Sequence, residues 1–156
     1  MLKPIFNRLL NSGLKIIEIE RTTHDITNAS FVNDMIDSFK EFHFDKNIHV
    51  WFEDEAEIIS PITMNFYKDS FENSFFEQTK RFYQIEANKY ADEPLIIYLK
   101  ITKYYNEEKH RIQRYLPSQS TQTVLTMIEQ IFIGNRLDEI YDTVKDMLNR
   151  KNDEGL

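Results

Sequence analysis

The sequence predicts an all-α protein, a helical bundle of about six helices that includes one long central hairpin. Only three of the 156 residues are glycine and four are proline, so the chain is poor in the residues that make tight turns. Hydrophobic residues make up 41% and aromatic residues 13%, a composition far from that of a disordered chain. Apolar residues recur at steps of three and four along most of the chain, and no stretch is a convincing strand. The length suits a single helical domain over residues 1–156, which can bury a core without a disulfide or a metal.

Two helices are predicted upstream of residue 43. Pro4 suits the first turn of a helix that fades at Arg21. Its apolar stripe is made of Ile5, Leu9, Leu10, Leu14, Ile16 and Ile17. Gly13 inside that stripe costs about 1 kcal/mol relative to alanine, so it marks either the close approach of a neighbouring helix or a tolerated weakness. After a polar connection at residues 22–27, Asn28 or Ser30 can cap a second helix. The stripe of that helix is made of Phe31, Val32, Met35, Ile36 and Phe39.

Residues 43–63 break every periodic pattern. An apolar group that includes Trp51 is followed by an acidic run from Glu53 to Glu57, and Pro61 ends the segment. About twenty residues without regular structure are unusual inside a compact domain. We therefore expect a loop with one short helical turn, in which Trp51 inserts into the core or against a partner.

The central hairpin is predicted over residues 67–116. Its first helix carries an aromatic stripe at helical spacing, with a second row of aromatic residues beside it. The stripe is Phe71, Phe75, Phe82 and Glu86, and the row is Phe76, Tyr83 and Tyr90. After Pro94 a second helix carries the apolar stripe Leu95, Tyr98, Leu99, Thr102, Tyr105, Ile112 and Leu116. Its charged side holds Lys100, Lys103, Glu107, Arg111 and Arg114.

Two further helices are predicted after Pro117. The hydroxyls of Ser118, Ser120 and Thr121 can cap the first of them, which Gly134 closes. Its apolar residues are Val124, Leu125, Ile128, Ile131 and Phe132. Asp138 can begin the last helix, with the apolar residues Leu137, Ile140, Tyr141, Val144 and Leu148.

The charge and cysteine content narrow the functional classes. A net charge of −7 with scattered Lys and Arg disfavours binding to nucleic acid or to an anionic membrane. The absence of cysteine excludes a disulfide framework, a thiolate metal cage and a cysteine nucleophile. No window has the length of a membrane span, and residues 1–14 lack a signal-peptide pattern. We expect a soluble cytoplasmic or nuclear protein.

The sequence offers few groups for catalysis. The four histidines, His24, His43, His49 and His110, lack metal-ligand spacing. No metalloprotease motif or nucleophile elbow occurs, and three glycines cannot form a phosphate-binding loop. We therefore predict no catalytic, cofactor-binding or metal-binding residues and no cofactor.

Two clusters have a chemical and a structural interpretation. Glu107 with Glu108 and the run from Glu53 to Glu57 could supply paired carboxylates, but the basic neighbours of the first pair favour ordinary surface salt bridges. A basic and aromatic set could bind single-stranded nucleic acid, but its interleaved glutamates favour packing. The set is Lys100, Lys103, Tyr104, Arg111, Arg114 and Tyr115.

Several motifs in order along the chain resemble those of the cullin family. The most specific is YKDSFE at residues 67–72, followed by Phe75-Phe76, Thr79, Phe82-Tyr83 and Glu86. Downstream similarities include Tyr98-Leu99-Lys100, Glu107-Glu108, Arg111-Ile112, Tyr115-Leu116, Ser120-Thr121-Gln122 and residues 131–133. Upstream similarities include Pro4-Ile5, Asn11, Leu14-Lys15, Ile17-Glu18 and Glu20-Arg21. Nearly the whole chain is covered, residues 43–63 being divergent, and the SCF-type cullins are the most similar branch. Residues 22–24 and 134–136 depart from the family pattern, which puts two helix ends in doubt.

The resemblance implies a role as a scaffold. Cullins organise multisubunit ubiquitin ligases through an N-terminal stalk of three five-helix repeats and a globular C-terminal domain, and this chain resembles the second repeat with its borders. In the family, adaptors dock on the first repeat, and the RING protein binds the C-terminal domain, so neither site falls in this segment. The resemblance therefore implies a non-catalytic, rigid spacer between the two ends. The alternative is a stand-alone cullin-repeat-like module that binds a kinase or a ligase component. Because a repeat taken alone exposes faces meant for its neighbours, we also expect self-association, through Ile5, Phe6 or the last helix.

Overall fold

The structure, a computed structural model, describes residues 2–41 and 67–153. These residues form six α-helices and no strand, which confirms the predicted fold class. The helices are α1 (Leu2–Thr23), α2 (Ala29–Glu41), α3 (Asn73–Lys89), α4 (Pro94–Tyr115), α5 (Ser118–Phe132) and α6 (Leu137–Asp153). A π-helix, Tyr67–Glu72, leads into α3, and a 3-10 turn, Gly134–Arg136, leads into α6. The predicted loop at residues 43–63, with Trp51, lies outside the described residues.

The chain divides into two compact units, residues 1–75 and 76–156. In the first unit α1 packs against α2 at Gly13. A Cβ atom added to Gly13 would lie 2.5 Å from the Sδ and Cε atoms of the buried Met35. The glycine therefore marks the close approach of a neighbouring helix, one of the two interpretations that the sequence left open.

The buried face of α2 matches the prediction except at one end. Val32, Met35, Ile36 and Phe39 are buried. Phe31, which the predicted stripe included, is 41% exposed, so its assignment to the core was wrong. The rings of Tyr67, Phe71 and Phe75 follow one another at centroid distances of 5.8 and 6.0 Å along the π-helix and the start of α3. Two cations lie over this row, with Arg21 above Phe75 and Lys40 above Tyr67.

The end of α1 shows an unusual backbone at one of the doubtful sites. The helix continues two residues beyond Arg21, to Thr23, and His24 follows with φ of 60°. Its N–H donates to the carbonyl of Glu20 at 2.9 Å, which closes the helix in the left-handed conformation that glycine usually adopts. A histidine at this position carries a conformational penalty that glycine would not.

In the second unit α4 packs against α5 and α6. Two hydrogen bonds between side chains join α3 to α4, from Tyr83 to Glu108 and from Tyr104 to Glu86. Tyr83, earlier in α3, bonds to Glu108, late in α4, whereas Glu86, later in α3, bonds to Tyr104, earlier in α4. The two helices therefore run antiparallel. These contacts confirm the central hairpin. Rings of Tyr83, Tyr104 and Phe132 meet at centroid distances of 5.5 to 6.0 Å and bring α5 into the same core.

The predicted caps of α5 were wrong. The helix begins at Ser118, and Pro117 occupies the N-cap position without a side-chain cap. The extended backbone of Pro117, with φ of −60° and ψ of 149°, turns the chain after Leu116, whose N–H still donates to the carbonyl of Ile112. Ser120 therefore lies inside the helix, where it is buried. At the far end, Gly134 begins the 3-10 turn, and Arg136 donates from Nη1 to the carbonyl of Ala91 at 3.1 Å.

Three helix faces differ from their predicted positions. On α3 Tyr83 is fully buried and Phe82 only half-buried, so the stripe through Phe82 was misplaced. On α4 the predicted apolar stripe is largely exposed, with Leu99 at 62% and Tyr98 at 54%. The buried residues of α4 are Ile97, Ile101, Glu108, Arg111, Ile112 and Tyr115. On α6 Ile140 is the one residue of the predicted stripe that is buried, at 8% exposure.

Candidate functional site

A buried polar cluster lies inside the hairpin of the second unit. Glu108 is 0% exposed and Tyr83 is 1% exposed. The Tyr83 hydroxyl donates to Oε2 of Glu108 at 2.7 Å, and Nη1 of Arg111 donates to the same oxygen. The cluster joins the middle of α3 to the C-terminal half of α4 with a charged group at its centre.

This cluster corrects the interpretation of Glu107 and Glu108 as surface carboxylates. The two residues behave differently because neighbours on a helix point about 100° apart. Glu107 is partly exposed and pairs with Lys103 at 3.7 Å, as an ordinary surface salt bridge does. Glu108 instead forms a buried ion pair with Arg111. Such a pair contributes little net stability over apolar residues, but breaking it leaves an uncompensated charge.

The buried cluster has no access for a substrate. Glu108 has no exposed surface and Arg111 is 4% exposed, so a reacting molecule cannot reach either group. Tyr83 and Arg111 both stabilise the ionised carboxylate, because each donates a hydrogen bond to it. The arrangement fixes the position of two helices and does not resemble an acid–base pair, in which one group must be free to exchange a proton with a ligand.

A second polar cluster joins the same helices near the connection between them. Tyr104 donates to Oε2 of Glu86 at 2.6 Å, Lys89 donates to Oε1, and the ammonium of Lys100 lies 4.5 Å from the ring centre of Tyr90. Burial by itself would raise the pKa of Glu86, but the hydrogen bonds from Lys89 and Tyr104 and the nearby positive charges outweigh it, so that pKa is lowered. Burial and the bond to Glu86 raise the pKa of the Tyr104 hydroxyl.

The basic and aromatic set proposed as a nucleic-acid surface does not form one surface. Arg111 and Tyr115 are buried. Lys103 pairs with Glu107, and Lys100 lies over Tyr90 and Tyr104. Because its members have different neighbours and different exposure, the structure favours packing over stacking of bases on an open platform.

The second unit also has an open groove of about 480 Å³ on the surface. Its lining comes from α3 and α5 and consists of Lys80, Gln84, Ala87, Asn88, Met127, Gln130 and Ile131. Among the described residues that line the groove, Lys80 is the one titratable side chain, so this lining lacks a pair of groups that could act as acid and base.

Metal-binding chemistry has no candidate in the described residues. No group of three or more His, Asp or Glu side chains within residues 2–41 and 67–153 could hold a metal ion. His24 and His110 are exposed, and His43 and His49 lie outside those ranges, as does the acidic run at residues 53–57. The expectation that this chain has no catalytic, cofactor or metal residues stays a prediction. Within the same part of the chain, no helix is both long and apolar enough to span a bilayer.

Two apolar helix faces remain exposed, and sequence periodicity had assigned most of their residues to a core. We define the α1 face as Ile5, Leu9, Ile16 and Ile19, and the α6 face as Leu137, Tyr141, Val144 and Leu148. Ile5 is 55% exposed and Tyr141 is 65% exposed. Large apolar side chains at this exposure, aligned on one face of a helix, are typical of protein interaction surfaces.

Comparison with known proteins agrees with the sequence motifs. Residues 1–156 match the family described as the cullin alpha solenoid domain. The chain is 27% identical over 149 residues to Cullin-1 of Dictyostelium discoideum, covering 94% of this chain and 18% of that protein. It is 26% identical over 153 residues to Cullin-1 of Caenorhabditis elegans, covering 96% of this chain and 19% of that protein. For Cullin-1 of Schizosaccharomyces pombe the values are 24% identity, 88% of this chain and 17% of that protein. The chain thus spans less than a fifth of the length of these curated relatives.

Proposed function

Because this chain belongs to the cullin family, we propose that it is a non-catalytic scaffold segment of a cullin-RING ubiquitin ligase. Its role is that of a rigid spacer between the end that carries the adaptor and substrate receptor and the end that carries the RING protein. Within this proposal, residues 1–156 correspond to the second cullin repeat with its flanking helices. The adaptor and the RING protein bind outside the segment.

The main support for this proposal is the pair of side-chain hydrogen bonds between α3 and α4. A spacer has to resist bending, and close-packed helices do so because deforming them opens voids or strains side chains. The bond between Tyr83 and Glu108 and the bond between Tyr104 and Glu86 tie α3 to α4 at two levels. Since the donors and acceptors are specific, sliding one helix along the other breaks both bonds at once. Glu108 is fully buried, which also fits a scaffold segment in which charged groups stabilise packing and do not catalyse a reaction.

The spacer role is tested in the full-length ligase that contains this segment. A short flexible Gly-Ser insertion between α3 and α4, next to Asp92, should lower the rate of substrate ubiquitination and leave adaptor and RING binding intact. The matched control is an insertion of the same length in the exposed connection between α1 and α2. An unchanged rate with the hairpin insertion, in a protein that still binds both partners, would remove the spacer proposal.

The stand-alone binding module remains the second candidate, because the exposed α1 and α6 faces suit a partner protein. An antibody against this segment distinguishes the two. A band near the 18.8 kDa mass of this chain would support the module, and a far larger band would support the scaffold. We also propose a cytoplasmic or nuclear location, which immunofluorescence with the same antibody would test.

A further inference from the structure

We infer that the α1 face of one copy of this chain binds the α6 face of a second copy, so that the chain self-associates head to tail. The inference rests on the exposed residues of the two faces and on their opposite charges. It does not depend on the ligase role.

The α1 face is an apolar strip with a basic edge. Its four residues recur at steps of four, seven and three, so they lie along one side of the helix over about 21 Å. Ile5 and Ile19 are exposed, and Leu9 and Ile16 are half-buried. Arg8 and Lys15 border the strip on the side away from the buried residues Gly13 and Ile17. Over the length of the strip, residues 5–19, the charged residues are Arg8, Lys15 and one acidic residue, Glu18, so the strip keeps a net positive charge.

The α6 face is an apolar strip with an acidic edge. Its residues recur at steps of four, three and four over about 17 Å, and Leu137, Tyr141 and Leu148 are all more than half exposed. Asp138 and Asp142 lie along one edge, where Lys145 is the single opposing charge. Residues 137–146 hold four acidic residues and one basic residue.

The charged edges match when α1 and α6 lie side by side in parallel. The backbone of each helix turns in the same right-handed sense, and we call the edge of a strip that this turn reaches first its trailing edge and the other its leading edge. In parallel packing the leading edge of one strip lies against the trailing edge of the other. Arg8 and Lys15 are on the trailing edge of the α1 face. Asp138 and Asp142 are on the leading edge of α6. Within the described residues, none of these four side chains forms an ion pair, so all are available.

Pairing of like faces is less favourable. A symmetric contact between two α6 faces in antiparallel packing sets the edge with Asp142 beside the same edge of the other copy. A contact between two α1 faces brings basic edges into the same contact region. Like charges at these distances oppose association, whereas contact between an α1 face and an α6 face pairs opposite charges around an apolar strip of similar length. A contact between different faces leaves each copy one free face, so association is not limited to a pair.

The test uses residues 1–156 and two face variants of them. In sedimentation equilibrium the wild-type mass should rise above 18.8 kDa with concentration. Ile5→Glu with Ile19→Glu removes the α1 face, and Leu137→Glu with Tyr141→Glu removes the α6 face. Each variant alone should be monomeric at concentrations where the wild type associates. An equimolar mixture should form a one-to-one complex, because each partner keeps one intact face that fits the other.

A charge exchange checks the pairing independently and avoids large changes to the apolar strips. Arg8→Glu with Lys15→Glu, and separately Asp138→Lys with Asp142→Lys, should each weaken self-association at least about tenfold. Mixing the two should restore association like that of the wild type, with the two variants alternating in equal numbers, because each face of one variant then meets an oppositely charged face of the other. Far-UV circular dichroism confirms that every variant folds. A wild type that stays monomeric, a face variant that still dimerises alone, or mixtures that stay monomeric would each overturn the inference.

Discussion

Substitution of Tyr83 by phenylalanine is the most direct measure of the buried cluster. The change keeps the ring and removes one hydroxyl, which lies 2.7 Å from Oε2 of Glu108. Both residues are at most 1% exposed, so water cannot replace the lost donor. A hydrogen bond to a charged group contributes about 1.5–3 kcal/mol. We expect Tyr83→Phe to lower the free energy of unfolding by that amount, which is a large share of the stability of a domain of this size.

Tyr104→Phe is the matched control. Its hydroxyl donates to Glu86 over a similar distance, 2.6 Å, but Tyr104 is half-buried and the site is open to water. Because solvent can hydrogen-bond to Glu86 after the change, the expected loss is about 1 kcal/mol or less. Urea unfolding followed by far-UV circular dichroism gives both values, with an unchanged slope as the sign that the unfolding reaction is the same. If Tyr83→Phe cost no more than Tyr104→Phe, the cluster would not be the dry, charged site described here.

Substitutions of Glu108 and Arg111 test whether the three residues of the buried cluster act as one unit. Glu108→Leu alone should cost about 3–5 kcal/mol, because it leaves Arg111 buried without its carboxylate. The triple variant Tyr83→Phe, Glu108→Leu and Arg111→Met removes the charges and the hydroxyl together. It should be more stable than Glu108→Leu alone, since apolar groups of similar volume replace a buried ion pair at little net cost. A triple variant as unstable as the sum of its parts would mean that the three residues act independently.

Three other predictions can be measured in the same way. Phe75→Ala should cost about 3–5 kcal/mol in urea unfolding because Phe75 is fully buried, and the half-buried Phe82→Ala should cost clearly less; equal losses would contradict the observed face of α3. His24→Gly should raise the thermal midpoint, with a gain of about 1 kcal/mol, because it relieves the positive φ of 60° at the end of α1, and a lower midpoint would refute this. The pKa of Glu86 is lowered in the folded state, so its stabilising effect is present above its ordinary pKa and is lost as the pH falls through the folded value. Glu86→Gln should therefore be less stable than wild type at about pH 7, and the difference in the free energy of unfolding should shrink as the pH falls below the ordinary pKa of glutamate, whereas a difference that does not change with pH would exclude this origin.

Sequence periodicity was sufficient for the number and order of the helices in residues 2–41 and 67–153. Pro94 starts α4 and Pro117 precedes α5, because proline fixes φ and suits the first turn or the position before it. The stripe of α2 was nearly correct since its buried residues are all apolar. Local rules place such helix boundaries well, because the same few residues decide the backbone conformation whatever packs against the helix.

The face of α3 could not be read from spacing alone. After Phe75, steps of three and four residues lead equally well to Phe82 or to Tyr83, and both residues are aromatic. The buried residues recur every four residues from the π-helix Tyr67–Glu72 into α3, and they are Tyr67, Phe71, Phe75, Thr79, Tyr83 and Ala87. Thr79 is polar although it is 0% exposed, so a search for apolar residues at helical spacing passes over this row.

The face of α4 was misplaced for a chemical reason. Its buried side contains Glu108 and Arg111, and charged residues are almost never fully buried unless they are paired. Glu108 and Arg111 pair at a spacing of three residues, which is equally typical of a salt bridge on the surface. The Tyr83 hydroxyl that shares Glu108 lies 25 residues earlier along the chain, so local spacing does not reveal that this pair is buried. The side that was predicted to be buried, with Tyr98 and Leu99, is instead exposed.

The apolar stripe of α6 was also assigned to a core although most of it is exposed. An apolar stripe records that a face is removed from water in the working protein, but it does not say which partner covers it. For α2 the partner is α1 of the same unit, whereas Tyr141 and Leu148 are exposed within this chain. In a solenoid each repeat is covered by its neighbours, so an apolar stripe can serve a contact outside the unit that carries it. The buried charge on α4 and the exposed apolar strip on α6 therefore misled sequence periodicity in opposite directions, because a paired charge can be buried and apolar residues at helical spacing can stay exposed.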